Sequence, residues 1–433
     1  MKNIQIIDSQ TITAENIGTY IPRMESNLGE IRDQVLEITN EVKSNGDKAL
    51  LKYTEKFDNV KLKREDLKVS RQEIHDAYST ISDDLLEAIR FSKENLIQFH
   101  QAQLREEWTV KIREGVQAGQ IYRPIESVGI YVPGGRAIYP STVLMAATPA
   151  YVAGVKEIVI CSPPQKNAKI APEILVAARE FNIENIFKVG GAHAVAAMAH
   201  GTTTIPKVLK IVGPGNKWVN GAKQLLSNIV AIDNPAGPSD ILIIADQSAN
   251  DENVIVDFIS QIEHDPDNVG VIVCTSSKLI ENIKSKLMEY IEEFPRKKII
   301  KKALQNSMII QAGSLEECIR ISNLIAPEHL EILTENPKDI LSKINNAGAV
   351  FLGSDTPVPL GDYSAGTNHI LPTGGYAKIY SGLNSLEFIK CIDVLECSHE
   401  GLKNLSKAAM TLAKFENLDA HAAAIKKRLD DKK

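Results

Sequence analysis

Residues 326–330 read Ala-Pro-Glu-His-Leu, which sets a carboxylate beside an imidazole directly after a proline. Two titratable groups of different basicity on neighbouring residues suit a site that must move several protons. Pro327 disfavours a helix through residue 326 and withholds one backbone donor. The helical pattern Leu315, Cys318, Ile319, Ile321, Leu324, Ile325 should therefore stop there, and Leu330–Thr334 reads as the strand that follows. Glu328 and His329 then stand at a helix-to-strand junction, where binding and catalytic groups concentrate. The plainer reading of the same five residues is a turn with two solvated side chains.

Other segments hold donors of the same kind. Ser260-Gln261-Ile262-Glu263-His264 ends a helix whose apolar face is Val254, Ile255, Phe258, Ile259 and Ile262. Gln261 and His264 are three apart and share a face, largely away from that stripe. Residues 361–369, Gly-Asp-Tyr-Ser-Ala-Gly-Thr-Asn-His, follow the proline-rich Thr356-Pro-Val-Pro359. Asp362 is a candidate oxygen ligand there, and His369 a ligand or hydrogen-bond donor. Glu416 and His421 are five apart in a helical stretch, roughly 140° apart on the wheel. One face presents both only if the chain breaks near Asn417-Leu418. Mixed His, Asp and Gln donors suit zinc with expanded coordination, or another borderline metal. A Gln–His pair three apart is a weak metal signal, since most such pairs are solvated, and the plainer reading of Glu416 and His421 is surface charge. His193 follows a Gly190-Gly191 turn, while His75, His100, His200 and His399 lack supporting neighbours and read as structural.

These groups need a scaffold. From about residue 120, strand patterns at 127–132, 157–161, 185–189 and 208–212 alternate with helical ones. A second series of strands follows at 240–245, 269–274, 307–311 and 347–352. Such alternation predicts an α/β fold of parallel sheets with helices on both faces. Three strands of the first series end in glycine turns: Pro133-Gly134-Gly135, Gly190-Gly191 and Gly213-Pro214-Gly215. Glycine lets a ligand approach the backbone, and the carboxyl ends of parallel strands form the usual ligand crevice. A helix opening at Gly190-Gly191 would offer N–H groups to a phosphate, which fits a dinucleotide, although no G-x-G-x-x-G is present. Residues 13–110 and 400–428 are mostly helical in pattern. The expected division is an N-terminal extension (1–24), a first α/β domain (25–124 with 240–381) bearing most of the polar cluster, a second α/β domain (125–239) bearing the glycine turns, and a helical tail (382–433).

The 433 residues exceed one comfortable core, and 43% hydrophobic with 24% charged residues is ordinary globular composition. A net charge of −6, with no long basic run outside the short 426–428 and Lys432-Lys433, argues against a nucleic acid or an anionic membrane as main partner. Met1–Gln10 lacks a signal-peptide core, and no run approaches the ~18 apolar residues of a membrane span. Five scattered cysteines without a C-x-x-C pair fit a reduced, cytoplasmic chain with no disulfide frame and no thiolate metal site.

Taken together, the segments resemble the histidinol dehydrogenase family, from about residue 25 to the end. The resemblance rests on Tyr131-Val-Pro-Gly-Gly-Arg136, Val189-Gly-Gly-Ala192, Val212-Gly-Pro-Gly-Asn216, Ala236-Gly-Pro-Ser239, Gln261-Ile-Glu-His264, Ala326-Pro-Glu-His-Leu330, residues 361–369 and His421, in the family's order. It implies a zinc-dependent, NAD-linked oxidation of L-histidinol to L-histidine through the aldehyde, the last steps of histidine biosynthesis. It further implies two Rossmann-like parallel-sheet domains with helical N- and C-terminal extensions, in an intertwined homodimer with shared active sites. Carried over by position, the zinc ligands are Gln261, His264, Asp362 and His421, the last from the partner subunit. Glu328 and His329 are the catalytic pair. The substrate would meet Ser239, Gln261, His264, His329, Asp362, His369, Glu416 and His421; NAD would meet Tyr131, His193 and Asn216. Three positions depart from the family's habit: His193 replaces Gln, Asp265 replaces Gly and Lys378 replaces Arg. Two other readings stay open, a zinc-dependent NAD-linked dehydrogenase of another small polar alcohol and a non-catalytic metal-binding dimer.

Overall fold

Strands that are apolar along their whole length need cover on both faces, and the runs found in the sequence receive it in two parallel sheets. The computed structural model describes residues 4–21, 28–134, 138–234 and 237–430. Gly135, Arg136, Ala236, Lys432 and Lys433, which the sequence reading used, lie outside the described residues.

The five-stranded sheet has the order Asn185–Lys188, Glu157–Ser162, Ser127–Tyr131, Lys210–Val212, Ala231–Ile232, all parallel. The chain enters at the centre, winds out to one edge, then crosses to the other, which is the doubly wound order. The six-stranded sheet repeats that path with Met308–Gln311, Val269–Cys274, Asp240–Ala245, His329–Leu333 and Ala349–Leu352, and adds Gln5–Asp8 in parallel beside Met308–Gln311. The α/β class with paired parallel sheets is therefore as the alternation predicts.

Alternate residues of each strand feed opposite cores. In the six-stranded sheet Ile241, Ile243 and Ile272 pack with Phe258 and Ile283, while Leu242, Ile244 and Val271 pack with Ile321. In the five-stranded sheet Tyr131 and Val159 pack with Ile31, Val35, Leu50 and Val195, and Ile130 packs with Ile89, Leu96 and Leu175 on the other side. The helices within 28–101 thus bury their apolar faces on the five-stranded sheet. The sequence had grouped them with 240–381, because amphipathicity says that a face must be buried and not on which sheet.

A third sheet departs from expectation. Trp108–Arg113, Val116–Pro124 and Ile389–Cys397 form an antiparallel ribbon, so the tail expected to be helical from 382 opens with a strand. All of Trp108–Arg113 and nearly all of Ile389–Cys397 are exposed. With no buried face, nothing imposes a clean apolar alternation for a reader to find. Helices His399–Phe415 and Asp419–Asp430 follow, separated at Asn417 (φ +61), which is the break expected there. All five cysteines are free, and among the described residues no helix is long and apolar enough to cross a membrane.

Candidate active site

Helix Leu315–Ile325 ends at Ala326, whose φ of +53 is left-handed. Pro327 bars the helical alternative, and the left-handed conformation of a non-glycine residue costs ~1 kcal/mol. The chain turns into strand His329–Leu333, where His329 lies opposite Ile241. That register sets Glu328 against Asp240 at the amino ends of two neighbouring strands. They exchange bonds: the Glu328 N–H donates to Asp240 Oδ1 at 2.7 Å, and the Asp240 N–H donates to Glu328 Oε2 at 3.1 Å. Both Glu328 and His329 are only 4% exposed, so the solvated-turn reading fails.

His329 Nδ1 lies 3.3 Å from the Asp240 carbonyl. A carbonyl can only accept, so Nδ1 carries the proton of the neutral ring and Nε2 is the basic atom. Nε2 is buried without a hydrogen-bond partner, 3.5 Å from Asp362 Oδ1. On its other oxygen Asp362 meets Gln261 Nε2 at 3.4 Å. The two ends of a carboxamide are assigned from their neighbours, and a half-turn presents the oxygen to the same point. His369 Nδ1 donates to the Asp362 carbonyl at 3.0 Å.

The supports come from several elements. Helix Asp251–Ile262 ends before His264, short of the expected limit. Gln261 is buried, and its carbonyl accepts from Asn268 Nδ2 at 2.8 Å. Arg296 donates to the His264 carbonyl at 3.2 Å. Asp362 rides the short helix Val358–Tyr363, and Ser239 directly precedes the Asp240 strand.

Burial pushes the Glu328 carboxyl up, with the charges of Asp240 and Asp362 adding to the shift and that of His329 opposing it. For His329 burial works downward, but the charges of Glu328 and Asp362 raise the imidazole above its ordinary value. Burial also opposes ionisation of Asp362, yet His329 and the Gln261 amide together hold its carboxyl low. Burial holds His264 and His369 low against the pull of Asp362. Neutral imidazoles beside an ionised carboxylate are the protonation state that binds a cation.

The donor types fit zinc: the Gln261 carboxamide meets the Asp362 carboxylate, whose other oxygen faces the buried and unpaired His329 Nε2, and His264 follows in the chain with its imidazole held neutral by burial. Among the described residues no three of His, Cys, Asp and Glu come together as a metal site. Of the four expected ligands, Gln261 and Asp362 are in contact within one chain. His421 lies exposed on helix Asp419–Asp430 and Glu416 exposed just past the end of helix His399–Phe415, and no described side-chain hydrogen bond or ion pair joins them to Gln261, His264 or Asp362.

The expected cofactor contacts gather at the carboxyl ends of the five-stranded sheet. The Tyr131 hydroxyl accepts the Gly191 N–H at 3.2 Å, at the start of helix Gly191–His200. Asn216 caps helix Lys217–Leu226, its side-chain oxygen accepting from Trp218 and Val219 at 3.0 and 3.2 Å. His193 is buried behind the glycine turn, 5.8 and 6.0 Å from the rings of Tyr53 and Phe57, with Nε2 3.4 Å from the Thr54 hydroxyl. Burial pushes it down to about 3, so it stays neutral.

Two residues of the site escaped the sequence reading. Asp240 looked like the first residue of a strand, and only register made it Glu328's partner. Glu331, fully buried two residues beyond His329, has neither oxygen hydrogen-bonded at normal distance. An acid inside the run Leu330-Glu331-Ile332 was the available signal.

The family model for histidinol dehydrogenase matches residues 21–429. The histidinol dehydrogenase of Methanocaldococcus jannaschii is 50% identical over 419 residues, 96% of this chain and 97% of that protein. That of Clostridium acetobutylicum is 43% identical over 430 residues, 98% of this chain and 99% of the other. The crystal structure of histidinol dehydrogenase from Elizabethkingia anophelis superposes with a TM-score of 0.94 at 39% identity, covering 100% of this chain and 99% of that one.

Proposed function

The chain belongs to the histidinol dehydrogenase family and is an oxidoreductase, and from that premise we propose that it oxidises L-histidinol to L-histidine through L-histidinaldehyde, the last steps of histidine biosynthesis, using NAD and zinc. The observation that carries this reading is the buried group of Glu328, His329, Asp362 and Gln261 at the amino ends of two adjacent strands. Gln261, His264 and Asp362, with His421 of the partner subunit, would hold zinc, which supplies an electrophilic anchor for the substrate's imidazole and amino nitrogens. Tyr131, His193 and Asn216 would hold NAD, which accepts the electron pair of each oxidation.

The remaining work belongs to the protein. His329 Nε2 takes the hydroxyl proton as the alcohol becomes aldehyde. Glu328 takes a proton from the water that adds to the aldehyde carbon, and His329 returns its proton to the carbonyl oxygen, which restores the ring as a base. His329 then takes the hydroxyl proton of the resulting hydrate as it becomes the acid. A positioned base typically contributes ~10²–10⁴-fold to each step. Ser239, His369 and Glu416 bind the polar substituents of the substrate, and the buried setting of Glu328 and His329 limits access by other water.

A homodimer completes the site. In one chain Glu416 and His421 are exposed, and Ile112, Leu395 and Phe415 are 55%, 68% and 87% exposed. Apolar area of this kind beside an incomplete site supports subunits that cover each other and share ligands. The free cysteines and the biosynthetic role support a cytoplasmic enzyme with no nucleic-acid or membrane partner. Protein supplied with zinc, NAD and histidinol should form two molecules of NADH per histidinol, with histidine as product. Release of the aldehyde after one NADH, or no NADH at all, overturns the reading.

A further inference from the structure

One buried ion pair takes no part in the chemistry above. Lys223 lies on helix Lys217–Leu226, and Asp233 follows strand Ala231–Ile232. The two side chains are in direct contact, and the residues are 1% and 8% exposed. Both close on the backbone of Gly213. Asp233 Oδ2 accepts the Gly213 N–H at 2.7 Å, and Lys223 Nζ donates to the Gly213 carbonyl at 3.0 Å.

Gly213 opens the turn that leads to Asn216. Its φ is +114, and a Cβ there would stand 2.2 Å from the Tyr131 carbonyl oxygen. The ion pair thus grips both polar atoms of one residue while that residue's Cα rests against Tyr131. Further along the turn, Asn220 Nδ2 donates to the Gly215 carbonyl at 2.8 Å. A well-packed apolar pair is often as stable as a buried ion pair. It could not bond a backbone N–H and a carbonyl together.

We propose that Lys223 and Asp233 are positioning residues for the dinucleotide: by clamping Gly213 against Tyr131 they set the spacing between Tyr131 and Asn216. The proposal rests on the NAD reading of that cleft. In K223M the Gly213 carbonyl loses its donor and Asp233 its counter-charge. The dissociation constant and KM for NAD should rise at least ~10-fold, the scale set by one charge-assisted hydrogen bond, with zinc content and the KM for histidinol unchanged. K223M/D233L removes both buried charges, and it decides the matter by the same readouts if K223M fails to fold. Unchanged NAD affinity in a folded variant overturns the proposal. So does a parallel loss of zinc, histidinol and NAD binding with a lowered melting point, which would mark a merely structural pair. Wild-type protein that forms no NADH overturns the cofactor reading instead, and the clamp with it.

Discussion

Glu328 and His329 are neighbours with different surroundings, and that difference divides their work. Glu328 is tied to Asp240 through both backbone and carboxylate, whereas His329 turns its unpaired Nε2 toward Asp362. E328Q can still accept the Asp240 N–H, but it cannot take a proton from water. With histidinol, the first NADH should form within a few-fold of the wild-type rate. Oxidation of supplied histidinaldehyde should fall ~10²-fold or more. Stopped-flow absorbance separates the two steps, and equal loss in both would refute the division. The pair itself was legible in Ala-Pro-Glu-His-Leu because its members are adjacent. Asp240 was not, since it meets Glu328 only across the sheet.

Helix Asp251–Ile262 and strand His329–Leu333 carry a second pair of acids. Glu331 shares a strand face with His329, and Asp257 stands one helical turn before Gln261. Burial raises the Glu331 carboxyl well above its ordinary range, and the charge of Asp257 raises it further; burial raises Asp257 as well. An acid whose pKa is raised by folding contributes full stability below its unfolded value, near pH ~4.5, and loses it as pH rises toward the folded value. Glutamine mimics the protonated form, so E331Q should be more stable than wild type at neutral pH. The gain should be about 2 kcal/mol at pH 7, shrinking to nothing near pH 4. Urea midpoints across that range measure it, and a destabilised E331Q at pH 7 would show that the carboxylate is ionised and paired. The inner strands of the two parallel sheets were legible because they are sealed on both faces, whereas the exposed edge strands Gln5–Asp8 and Ala231–Ile232 went unread. The exposed ribbon of Trp108–Arg113 and Ile389–Cys397 lacked that constraint.

At the scale of the molecule, one chain brings Gln261 against Asp362 and leaves His421 exposed on its last helix. Shared sites make a prediction that separate sites do not. Subunits of E328Q and H421N, each inactive alone in full turnover, should regain activity when unfolded together and refolded. Half the dimers are hybrids, and each has one site with both Glu328 and a partner's His421, so about a quarter of wild-type activity should return. No recovery, with hybrids verified by mass, would place His421 in its own chain's site. H421N alone should lose zinc.

The sequence by itself determined the α/β class, the alternation of strands and helices, the helix-to-strand junction at Pro327 and the family. Those follow from local rules: apolar period, the restricted backbone around proline, and motifs of contiguous residues. Only the tertiary structure decided that Glu328 and His329 are buried, that Asp240 is Glu328's partner, that helices 28–101 cover the five-stranded sheet, and that Lys223 and Asp233 grip Gly213. Each of these depends on register or on which apolar surface meets which, between residues far apart in the chain. A residue's type states what it can bond; distance through space states what it does bond.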